Sequence, residues 1–95
     1  ARHQKMIIIR DIRFSMQLLS ILRYIAKDKK SAAVDFESEL NQKINDLVYF
    51  PLKYRASFYF EDKAYRDMVY QGYTIIYKVE KEKILILEIF KWQNK

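Results

Sequence analysis

The chain has 95 residues, 51% hydrophobic and 16% aromatic, with 18 Lys and Arg against 12 Asp and Glu and a formal charge of +6. That length supports one small core, and such an apolar content with one Gly and one Pro excludes disorder and low complexity. The absence of Cys and a single His, His3, exclude disulfides and thiolate metal sites, so no metal and no cofactor is expected, and the excess of cations favours an acidic partner.

In chain order, Met6 opens a strand-like run, so Ala1–Lys5 reads as an expression remnant ahead of it. Met6–Ile12 reads as a strand, with Ile7, Ile8 and Ile9 suited to a buried place. Ser15 is expected to cap a helix carrying Leu18, Ile21, Leu22 and Ile25 at helical spacing, with Met16 and Leu19 widening the stripe. Lys27-Asp28-Lys29-Lys30 ends that helix with cations where the helix dipole favours them. Ser31 is expected to cap a second helix with Ala33, Phe36, Leu40, Ile44 and Leu47 on one face. Asp35, Glu37, Glu39, Lys43 and Asp46 take the other, with Glu39 and Lys43 as an i, i+4 pair. A connection of about four residues makes the two helices an antiparallel hairpin.

Pro51 holds Phe50 extended and stops the second helix. Arg55–Phe60 reads as an extended segment or short edge strand, and Glu61-Asp62-Lys63 as a polar turn. Tyr65–Trp92 then holds three alternating runs, broken at Gly72 and at Glu80-Lys81-Glu82-Lys83. Strict alternation places Tyr73, Ile75, Tyr77 and Val79 on one face and Thr74, Ile76 and Lys78 on the other. In the last run it sets Leu85, Leu87 and Ile89 against Ile84, Ile86, Glu88 and Phe90. Gly72 suits either a two-residue reversal with Gln71 or a longer bulged loop. The order β-α-α-β-β-β predicts an α+β fold, a helical hairpin packed on one face of a mainly antiparallel sheet, as one domain over residues 1–95. No run approaches the roughly 18–20 apolar residues of a membrane span, and no signal-peptide pattern opens the chain.

The strand leading into Ser15, the helical hairpin, the FPLKYR run and YRDMVYQGYTIIYKVEKEKILILEIF together resemble the toxins of the bacterial RelE/ParE superfamily, from Met6 onward. The resemblance implies a cytoplasmic toxin of a type II toxin–antitoxin system. An antitoxin would lie between hairpin and sheet, with Leu18, Ile21, Leu22 and Ile25 as its apolar contacts, in a toxin–antitoxin hetero-oligomer. Two branches remain open. RelE-like members cleave mRNA on the ribosome, and the residues here that match are Arg66 and Lys91, although Thr74 stands where that pattern has an Arg. ParE-like members act on DNA gyrase, and Tyr65-Arg66 through Gly72 to Tyr77 is more similar to that branch. Lys53, Arg55, Arg66, Lys91 and Trp92 are the candidate target-binding residues in either case.

Each candidate has a plainer reading. Arg66 serves equally as an ion-pair partner of Glu61, Asp62 or Asp67. Lys53, Tyr54 and Arg55 suit a solvated loop whose aromatics close the core. Trp92 suits a site on the first helix, and Tyr65, Tyr70, Tyr73 and Tyr77 suit the core better than chemistry. A basic nucleic-acid-binding module without toxicity is the third alternative.

Overall fold

A computed structural model describes residues 6–91. Ala1–Lys5, including His3, and the target-rim candidate Trp92 lie outside the described residues. The elements are β1 (Ile7–Arg10), α1 (Ile12–Asp28), α2 (Lys30–Asn45), a 3-10 turn (Asp46–Val48), β2 (Arg55–Ala56), β3 (Tyr65–Tyr70), β4 (Tyr73–Val79) and β5 (Lys83–Lys91). They form a five-stranded sheet in the order β1-β5-β4-β3-β2, antiparallel except for the β1–β5 pair. The expected α+β arrangement of a helical hairpin on a mainly antiparallel sheet is present.

Helix starts differ from the expected ones. Asp11, not Ser15, caps α1: its Oδ1 accepts the Arg13 N–H at 2.8 Å. Asp11 stands where β1 ends, and its carboxylate satisfies one of the orphan donors of the first turn. The helix therefore starts early enough to bury Phe14, which has no exposed surface. Nor does Ser31 cap α2. A single extended residue, Lys29, separates the helices, and its side chain makes no capping bond. At φ −157° and ψ 115° it turns the chain in one step, replacing the expected four-residue connection.

The α2 stripe is buried as its spacing implies: Ala33, Phe36, Leu40, Ile44 and Leu47 all lie in the interior. On α1 only Phe14 and Leu18 are buried. Ile21, Leu22 and Ile25 pack at the margin of the core, and Met16 and Leu19 face outward. β1 also differs from expectation. As an edge strand it half-buries Ile8 and exposes Ile7 and Ile9.

Gln71 and Gly72 form the two-residue reversal, with Tyr70 opposite Tyr73 and φ of 50° and 84°. Positive φ at both positions matches the twist of a hairpin. The next departure is in β5. Register slips between Ile76 and Tyr77, which face Glu88 and Ile86, and Leu87 is left as the extra residue. The bulge reverses the alternation, so Ile84, Ile86 and Ile89 all enter the core, while Glu88 stays outside it and pairs with Arg13 of α1 at 3.8 Å. Beyond the end of β1 the outer edge of β5 is closed by Gln17 of α1, whose Oε1 accepts the Ile89 N–H at 2.8 Å.

Gly72→Ala is expected to cost about 1 kcal/mol, from backbone strain alone, because a Cβ there meets no atom within 4 Å. Gly72→Asn should cost less, since Asn tolerates positive φ. Leu40→Ala, at a site with no exposed surface, should cost about 2–5 kcal/mol. Urea denaturation ranks the three variants; a Gly72→Ala loss as large as that of Leu40→Ala would show that the turn does more than reverse the chain.

Candidate functional site

Two surfaces carry the candidate residues, at opposite ends of the sheet. The first is built around Tyr77 on β4. Its ring has no exposed surface, and its hydroxyl donates to the Pro51 carbonyl at 2.9 Å. That bond seats the loop after α2 on the helix-facing side of the sheet, where Tyr54 meets Tyr77 edge to face with centroids 6.4 Å apart. Arg66 lies across β3 from Tyr77 and closes the same loop from the other side. Its Nη1 donates to the Tyr54 carbonyl at 3.0 Å and its Nε to the Lys63 carbonyl at 3.1 Å. The ion pair read for Arg66 does not form among the described residues. Arg66 and Asp67 are successive strand residues and project from opposite faces.

Asp67 pairs instead with Arg55, its register partner on β2, at 3.6 Å. The Asp67 carboxylate has no exposed surface, and its Oδ2 also accepts the Phe58 N–H at 3.1 Å. Its Oδ1 and the buried Thr74 Oγ1 find no donor among the described residues. Only Arg55 and Ala56 of the segment read as an edge strand are paired. The rest, through Phe60, folds over the sheet face away from the helices. There Tyr59 meets Phe90 edge to face and Phe60 stacks on Tyr65 with centroids 4.0 Å apart. The Arg55 guanidinium lies over Phe58 at 4.1 Å, and Lys53 lies 5.5 Å over the ring of Tyr54.

The second surface is an open groove between the hairpin and the far end of the sheet. Tyr73 stands at its middle. On one side a hollow of about 580 Å³ is lined by Ser20, Ile21, Tyr24, Ile89 and Lys91. On the other, about 470 Å³ is bounded by Ile25, Asp35, Phe36, Glu39 and Gln71. Of the four apolar residues expected to meet an antitoxin, Ile21 and Ile25 line this groove, whereas Leu18 is in the core and Leu22 at its edge. The groove is not the uniformly basic trough that net charge suggests. Lys91 stands at one end, and Asp35 and Glu39 at the other.

Glu39 is fixed there by the Tyr70 hydroxyl, which donates to its Oε1 at 2.6 Å. Lys43, expected to pair with Glu39, lies over the Tyr70 ring at 5.7 Å instead. Burial first and the Glu39 bond second push the Tyr70 hydroxyl up to about 12. Burial also carries Tyr77 to about 12, against opposing effects of Tyr54 and Arg66.

The structure thus brings Lys53 and Arg66 to the Tyr54 loop on the helix side, sends Arg55 to Asp67 on the opposite face, and leaves Lys91 apart. Arg66 faces Tyr77 and Lys91 faces Tyr73, four residues along β4, a separation of about 13 Å along the strand. Residue-by-residue reading offered Asp67 only as a partner for Arg66, and missed its pairing with Arg55 and the Phe58–Phe60 turn. The available signal was a lone carboxylate inside the aromatic run YRDMVY, which a strand buried on both faces must pair.

A family model described as the ParE toxin of the type II toxin–antitoxin system parDE matches residues 9–93. No curated protein sequence matches the chain. Among solved structures, one from the chromosomal ParDE TA system of P. aeruginosa superposes with a TM-score of 0.76 at 17% identity, covering 96% of this chain and 100% of that one. At that identity the likeness is one of fold.

The tyrosine shifts predict an alkaline weakness. Tyr77 keeps its proton to about 12 when folded, against 10.0 in its ordinary state, so between these values the unfolded chain releases a proton that the native one holds. Stability from this group is complete below pH 10 and is lost as pH climbs toward 12. Tyr70 acts in the same direction. Tyr77→Phe should flatten the decline measured by urea denaturation across that range, at a neutral-pH cost of about 1 kcal/mol for the orphaned Pro51 carbonyl. An unchanged slope would mean that Tyr77 ionises freely in the native state.

Proposed function

The chain belongs to the ParE toxin family of type II toxin–antitoxin systems, and on that premise we propose that it arrests bacterial growth in the cytoplasm by binding DNA gyrase and is neutralised by a cognate antitoxin. The observation that carries binding over bond cleavage is the employment of Arg66. Its guanidinium holds two loop carbonyls, and the other matching cation, Lys91, is at the far end of the sheet. In-line RNA cleavage needs a base, an acid and cations converging on one phosphate. The tyrosines that are shifted, Tyr70 and Tyr77, both move away from neutrality.

The antitoxin reading rests on the groove. Ile21, Ile25, Phe36 and Tyr73 give it an apolar floor, and its rim is mixed in charge. An amphipathic segment fits, with an acidic group toward Lys91 and a cation toward Asp35 and Glu39. Such a segment orders on binding, so part of the interaction energy is spent on its entropy.

Purified protein is expected to inhibit gyrase supercoiling at micromolar concentration or below and to leave message intact in a translating extract. Adding the small protein encoded beside it should restore supercoiling. Cleaved message with normal supercoiling would replace this reading with that of a ribosome-dependent endoribonuclease.

A further inference from the structure

The groove between the hairpin and the sheet ends at Lys91, in the hollow of about 580 Å³ beside α1. We infer that Gln17 and Lys91 together form a subsite for a carboxylate of the antitoxin, an inference that rests on the antitoxin reading of the groove and names the side chain, Asp or Glu, that the partner must bring there.

Gln17 is fixed in one orientation. Its Oε1 accepts the Ile89 N–H at 2.8 Å, and only the oxygen of an amide can accept an N–H, so Nε2 is the other arm. That nitrogen carries two donors and has no partner among the described residues. Gln17 lines the hollow with Ser20 and Tyr24, which follow it on the same face of α1. Lys91 of β5 lines it from the sheet side. Each of these four side chains can donate a hydrogen bond, and no carboxylate lines the hollow among the described residues. Lys91 takes part in no ion pair among the described residues, and Glu88, the carboxylate nearest to it along β5, is engaged by Arg13 at 3.8 Å.

An ionised carboxylate is acceptor-only and has two oxygens, so it can meet a cation and a fixed amide donor at once. Its bearer is a protein segment. Ile21, Tyr73 and Ile89 give the hollow an apolar floor, and Asp35 and Glu39 at the other end of the groove repel a run of phosphates. A second copy would bring its own formal charge of +6 to the same cation. The subsite also selects. A non-cognate segment that places a cation or an apolar side chain here leaves the Gln17 amide and Lys91 without an acceptor, and that difference discriminates between partners.

The probe is the small protein encoded beside this chain, its affinity measured by titration calorimetry and the fold monitored by thermal melting. Lys91→Glu reverses the cation. Gln17→Glu keeps an oxygen for the Ile89 N–H, removes the donor and fills the subsite with an internal carboxylate. Lys81→Glu, exposed in the turn between β4 and β5, makes the same change in net charge at the opposite end of the strands from Lys91. The expected result is a loss of about tenfold or more in affinity for Lys91→Glu and for Gln17→Glu, no such loss for Lys81→Glu, and native-like melts. One Asp→Lys or Glu→Lys change in the small protein should restore binding to Lys91→Glu.

Variants that all bind like the natural chain overturn the subsite and leave the antitoxin reading standing. A natural chain that does not bind the small protein overturns that reading, and the subsite with it. An equal loss for Lys81→Glu marks an effect of net charge, and a loss for Lys91→Glu alone removes Gln17 from recognition; either overturns the subsite, as does failure of every charge swap to restore binding. If Gln17→Glu melts early, Lys91→Glu and the charge swap decide. Two other occupants are excluded in the same series. Binding of a labelled single-stranded oligonucleotide, or self-association of the chain, that falls with Lys91→Glu while affinity for the small protein holds would assign the hollow to nucleic acid or to a second copy and overturn the proposal.

Discussion

A tyrosine with no exposed surface must find a partner for its hydroxyl inside the protein, and at Tyr77 that need organises one end of the fold. The Pro51 carbonyl is available because Pro51 follows the end of the helical segment and turns its chain back toward the sheet. Once that loop is seated, the Tyr54 carbonyl comes within reach of Arg66, and the Lys63 carbonyl completes the pair. A cation that resembles a site residue is thereby held by the backbone of two loops. That geometry closes the loop and directs the guanidinium inward.

The sheet has two unlike faces, and the chain uses both. Toward the helices it is apolar, with Met68, Ile75, Tyr77, Ile84, Ile86 and Ile89 closing on the α2 stripe. Toward the aromatic turn it carries Asp67 and Thr74 among apolar neighbours. A carboxylate buried there is costly unless it is paired and hydrogen-bonded, and Arg55 and the Phe58 N–H supply both. Removing either partner would leave the charge uncompensated, which is why the turn is ordered although its rings face water.

Charge is distributed along the molecule in a way that net charge hides. The surplus of cations gives no uniform basic trough: Asp35 and Glu39 mark one end of the groove and Lys91 the other. A segment bound there would be oriented by charge as well as held by apolar contact, and complementarity of this kind sets register and specificity more than affinity.

Periodicity alone determined the class of fold. The α2 stripe, the three alternating runs of the meander, the stop before Pro51 and the reversal at Gly72 depend on local preferences that a few neighbouring residues settle. What lay beyond local reach was decided by tertiary contact. Asp11 outcompetes Ser15 as a cap because β1 ends beside it, and Leu87 bulges so that Ile89 and not Glu88 enters the core. Asp67 selects Arg55 over the adjacent Arg66 because a strand sends successive side chains to opposite faces, and only the paired strand β2 shows which cation waits on the buried side. Residue types and spacing state what each segment prefers; which charges meet, and which apolar residues stay exposed, depends on what the rest of the chain brings against them.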